Sequence, residues 1–85
     1  EINLLTLNVT QLYVIKFDNG LYWTGYNKAS EQIRKARIYN SVKYAKEAGD
    51  DCLIRRMVIW PQPAMTNVKT YKIVEVELIE KDEVE

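Results

Sequence analysis

Residues 11–26 read QLYVIKFDNGLYWTGY, two β-prone runs at 12–17 and 21–26 on either side of Asp18-Asn19-Gly20. Aromatic and β-branched residues fill both runs and turn formers separate them, so the stretch predicts an antiparallel hairpin. The length of the turn decides which side chains share a face. A two-residue Asn19-Gly20 turn would align Tyr22, Thr24 and Tyr26 with Tyr13, Ile15 and Phe17. A three-residue loop with Gly20 as a left-handed bulge residue instead aligns Leu21, Trp23 and Gly25 with Tyr13, Ile15 and Phe17. Lys16, Tyr22, Thr24 and Tyr26 then share the opposite face. The bulged register separates apolar from polar side chains better and is the one favoured.

Working outward, the apolar positions between residues 33 and 48 scatter around a helical wheel, which argues against one continuous helix there. A break at Asn40-Ser41 resolves this. Ser41 can cap a short helix over 42–48, with Val42, Ala45 and Ala48 on one side and Gly49 as its stop. Before it come a turn around 29–35 and an extended stretch at 36–39. Residues 52–60 are apolar and β-prone apart from Arg55 and Arg56, and they run into Pro61, so a third strand is expected there. Residues 69–80 alternate, with Val74, Val76 and Leu78 opposed to Glu75 and Glu77, and predict a fourth. Leu5, Leu7 and Val9 either extend the first strand or form an extra edge strand within residues 1–11. The sum is one α+β domain spanning 1–85, in ββ-α-ββ order. Its antiparallel sheet has four to five strands, one short helix packed on one face and an acidic tail at 81–85.

Composition narrows the function classes. Twelve basic and twelve acidic residues cancel, so any nucleic-acid or anionic-membrane binding would need a local patch. Charge is nevertheless segregated: between Tyr26 and Trp60 eight bases against four acids leave about +4, and from Pro61 onward three bases against six acids leave about −3. Charge interrupts the hydrophobic residues too often for a membrane span. One cysteine, Cys52, rules out an internal disulfide and fits a reducing, cytoplasmic setting. Histidine is absent, which removes the commonest general base and metal ligand. Asp50 and Asp51 precede Cys52 and would raise its thiol pKa. No Walker loop, HExxH or CxxC spacing is present. The expectation is a protein that is not an enzyme and that carries no metal and no cofactor.

The segment YVIKFDNGLYWTGYNKASEQIRKARIYNSVKYAKEAG, followed by KIVEVELIE, resembles a group of small uncharacterised proteins from phages and prophages of Gram-positive bacteria. The resemblance covers most of residues 12–80, and its elements are mostly structural. It implies an accessory protein of a mobile element in a bacterial cytoplasm, a binder or inhibitor of host machinery, with no functional residue carried over.

Two surfaces are candidates. Two Trp and six Tyr against one Phe favour polar-tipped rings, which suit contact surfaces, and point to Tyr22, Trp23, Tyr26 and Trp60 as partner-binding residues on a host or phage protein. The bland alternative is that these rings cover the core. Arg34, Lys35, Arg37, Lys43 and Lys46 could instead contact nucleic-acid phosphates, or form an ordinary solvated face. The acidic end could mimic phosphate toward a basic groove, or serve as edge protection. Free sheet edges leave a homodimer open.

Overall fold

The hairpin forms in the bulged register. In this computed structural model, which describes residues 9–79, strand β1 (Val9–Phe17) turns back into β2 (Tyr22–Gly25), with Lys16 opposite Tyr22. The Phe17 carbonyl accepts from the Gly20 N–H at 3.0 Å, and the Phe17 N–H donates to the Leu21 carbonyl at 2.8 Å. Gly20 has φ +89, the left-handed conformation that glycine adopts without steric cost. Asn19 Oδ1 accepts the Leu21 N–H at 3.0 Å and locks the loop.

The fold is α+β: an antiparallel four-stranded sheet with one helix on one face. The sheet order is β3-β2-β1-β4, where β3 is Lys28–Ser30 and β4 is Tyr71–Ile79. Strands β1 and β4 pair along their full lengths, from Val9 opposite Ile79 to Phe17 opposite Tyr71. Helix α1 (Val42–Ile54) starts where expected: Ser41 Oγ accepts the Tyr44 N–H at 3.1 Å. The extended stretch before it also forms, because Tyr39 exchanges two 2.8 Å backbone hydrogen bonds with Tyr13 and the Arg37 N–H donates to the Trp23 carbonyl at 2.8 Å.

Three expectations are corrected. Gly49 does not end the helix, which runs on to Ile54. Ala45, Gly49 and Cys52 form its buried stripe at helical spacing. The 52–60 strand does not form. Cys52 lies in α1, Arg56–Val58 is a 3-10 turn, and Trp60 contributes only a parallel bridge to Lys28. That region supplies buried Cys52 and Ile59 but leaves Ile54, Met57, Val58 and Trp60 in water, so its apolar composition does not mark a buried strand. The third strand is β3, in the region expected to be a turn, and it precedes the helix. Residues 9–11 belong to β1; the expectations for residues 1–8 and for the acidic tail at 81–85 fall outside the described residues.

The core lies between α1 and one face of the sheet. Ile15, Phe17, Trp23 and Cys52 meet Ile59, Met65 and Val68, which arrive from the connection between α1 and β4. That connection is held by side chains bonding to its own backbone. Gln62 Nε2 donates to the Arg56 carbonyl at 3.1 Å and to the Ile59 carbonyl, and Arg56 Nη1 donates to the Leu53 carbonyl at 2.7 Å. Such bonds let a segment without regular structure be buried without leaving its polar groups unpaired.

Candidate functional site

The β2–β3 connection is a two-residue turn, Tyr26-Asn27, with φ 57 and 59. Positive φ at both central positions is the type I′ geometry, whose twist matches the flanking strands. It suits Asn and strains a bulky side chain, by about 1–2 kcal/mol for the left-handed conformation. Tyr26 holds that conformation with its side chain 88% exposed, so burial of the ring does not offset the strain.

Asn27 joins this turn to the end of α1. Its carbonyl accepts the Trp60 N–H at 2.9 Å, and its Oδ1 accepts from the Arg55 guanidinium. The Ala29 N–H donates to the Trp60 carbonyl at 2.7 Å, so Trp60 also covers the outer edge of β3. Arg55 reaches back to Asp51 at 3.3 Å, an exposed i,i+4 pair that orients the guanidinium more than it stabilises the fold. These ties bring the turn, the last turn of α1 and the Arg56–Val58 segment to one corner. There Ile54 (81% exposed), Met57 (72%), Val58 and Trp60 (62%) join Tyr26 in water. Single exposed apolar residues are ordinary, whereas several gathered at one place mark a contact surface. Lys28 and Arg55 are the exposed cations at its margin.

Of the four aromatic candidates, the structure brings two together. Tyr26 and Trp60 meet through Asn27. Trp23 belongs to the core, where its indole N–H donates to Tyr39 Oη at 3.1 Å. Tyr22 is half-buried on the other face of the sheet, with Lys16 Nζ 5.4 Å from its ring centre. Ile54, Met57 and Val58 complete the corner and escaped sequence reasoning, because an apolar run is indistinguishable by composition from a buried strand.

The basic candidates are all exposed but do not converge. Arg34 and Lys35 sit in a 3-10 turn, and Arg37 lies against β2, beside Gly25, with its guanidinium 5.8 Å from the Tyr39 ring centre. Lys43 and Lys46 are in the first turns of α1, and the Lys46 carbonyl accepts from Tyr71 Oη at 3.0 Å, which places that part of the helix over β4. β2 and β4 flank β1 on opposite sides, so the two basic groups are divided.

Burial, reinforced by Asp51 and opposed by Arg55, pushes the Cys52 thiol up to about 12, so the thiol stays protonated at neutral pH. Burial also raises Tyr39 above the usual phenol range, against the opposing effects of Trp23 and Arg37. Among the described residues no three His, Cys, Asp or Glu side chains are grouped to hold a metal, and no helix is long and apolar enough to cross a membrane. Comparison of the chain with known protein families, with curated proteins and with solved structures found no match.

Proposed function

We infer that this chain is a non-catalytic protein-binding module whose contact surface is the corner formed by Tyr26, Ile54, Met57, Val58 and Trp60. The observation that carries this reading is Tyr26: a large ring held in a strained backbone conformation and left in water. Strain retained at an exposed position points to a role outside the fold. Aromatic anchors amid aliphatic residues, with cations at the margin, are the usual make-up of the centre of an interface. The resemblance to phage and prophage proteins supports a place among accessory proteins of a mobile element, with a host or phage protein as the partner. The nucleic-acid reading has less support, because the residues meant to hold phosphates are split between two sides of the sheet.

Site-specific photo-crosslinking in cells tests the reading. A crosslinker placed at Tyr26 or Trp60 is expected to trap one protein reproducibly, and one at exposed Lys43 is expected to trap none. Capture of a second copy of the chain would identify a homodimer through the same corner. No specific adduct from either position, together with full biological effect in a Tyr26→Asn, Trp60→Ala double variant, would remove the proposal.

A further inference from the structure

On the sheet face turned away from α1, the register places three side chains in a row across three strands. Lys16 is opposite Tyr22 on one side and opposite Lys72 on the other. Directly opposed residues of an antiparallel pair lie within about 5.5 Å at Cα, so the two lysines share one small area. Like charges in that relation repel. Among the described residues neither lysine forms an ion pair.

The two lysines line an open depression of about 420 Å3, with Asp18, Gly20 and Thr70 among its other walls. Asp18 is the one acid in this lining, and its carboxylate is held by the neighbouring backbone. Its Oδ2 accepts the Lys69 N–H at 3.1 Å, and its own N–H donates to the Thr70 carbonyl at 3.0 Å. Thr70 Oγ1 donates only a long 3.4 Å bond to the Tyr71 carbonyl. Among the described residues the depression therefore combines two ammonium groups, one carboxylate bonded to a backbone N–H and a weakly engaged hydroxyl, and its net charge is positive. Lys16 is itself packed against an aromatic ring.

We propose that this depression binds a phosphate group, with Lys16 and Lys72 as the cations and Thr70 as a neutral donor. A dianionic phosphate relieves the repulsion between the lysines and accepts from all three groups, since charge-assisted bonds to phosphate oxygens are the strong kind. Tyr22 neighbours Lys16 across β2, with Lys16 Nζ over one face of its ring, so a nucleotide base carried on the phosphate would have an aromatic side chain within reach. The site is separate from the Tyr26–Trp60 corner, and its test does not depend on that reading.

The test is an amide-resolved NMR titration of the full chain at low ionic strength, first with inorganic phosphate and then with adenosine monophosphate, against sodium chloride of matched ionic strength. Saturable shifts centred on Gly20, Thr70 and Lys72 are expected with phosphate and not with chloride, with a rise in Tm that follows ligand concentration. Lys16→Gln and Lys72→Gln are each expected to weaken binding at least tenfold without lowering Tm in chloride, because each removes one side of a repelling pair. Tighter binding of the nucleotide, with shifts of the Tyr22 ring, would assign the phosphate to a nucleotide; equal affinity would assign recognition to the phosphate alone. Shifts that chloride reproduces, or phosphate binding that survives both substitutions unchanged, would overturn the proposal.

Discussion

The ring of Tyr71 occupies the space that a side chain at position 49 would need. A Cβ built on Gly49 falls 2.5 Å from Tyr71 Cε2 and 2.6 Å from Cζ. The ring is held there, because Tyr71 Oη donates its one proton to Asp50 Oδ1 at 2.6 Å, with the Lys46 carbonyl oxygen 3.0 Å away as a secondary acceptor. Glycine in the middle of α1 is thus what lets the helix lie directly on β4.

Gly49→Ala follows from this contact. On helix propensity alone it would stabilise by about 1 kcal/mol. Forcing a methyl group into a filled space costs about 1–3 kcal/mol, and the ring cannot move without giving up its bond to the Asp50 carboxylate. The expected result is a net loss of stability in urea unfolding. A Gly49→Ala protein as stable as the wild type would show that the ring is not fixed.

Alkaline pH reaches the same contact. Burial, and then the neighbouring Asp50 carboxylate, push the Tyr71 phenol up to about 12, while a tyrosine in the unfolded chain titrates at about 10. The folded value lies above the unfolded one, so the stability Tyr71 contributes is complete below about pH 10 and is lost as pH rises toward 12. Phenolate absorbance should show Tyr71 and Tyr39 both ionising above the range of a tyrosine in the unfolded chain. Tyr71→Phe should leave Tyr39 as the late-ionising tyrosine, reduce the late absorbance change and flatten the fall in stability across the same window. A late absorbance change of unchanged size in the variant would show that Tyr71 does not contribute to it.

Relief of strain separates stability from binding at Tyr26. Tyr26→Asn places a residue that tolerates the left-handed conformation in a type I′ turn, and it should raise stability by about 1 kcal/mol. The same variant should lose crosslinking to the partner from a probe at Trp60. Chemical denaturation reads the first effect. A destabilised variant would mean that the ring makes contacts that hold the fold.

Cys52 is buried in the core, and burial holds its thiol protonated, with the pKa at about 12. Thiol-reactive probes should therefore modify it only when the chain opens, at a rate that climbs with urea along with unfolding. Fast labelling of the native protein at neutral pH would contradict its place in the core.

Local chemistry was sufficient for part of this structure. Gly20 and the alternation around it determined the hairpin register, Ser41 marked the start of α1, and the valines and glutamates of 73–78 marked β4, because turn geometry, capping and period-two alternation act between residues close in sequence. Tertiary structure decided the rest. Gly49 lies inside the helix instead of ending it, and the space left by its missing side chain is filled by Tyr71, far along the chain. Lys28–Ser30 becomes a strand with its outer edge covered by Trp60, and Ile54, Met57 and Val58 stay in water, because burial depends on what the fold places beside a residue and not on composition. Lys16 and Lys72 share one depression only through the pairing of β1 with β4, a contact between distant segments that neither segment alone specifies.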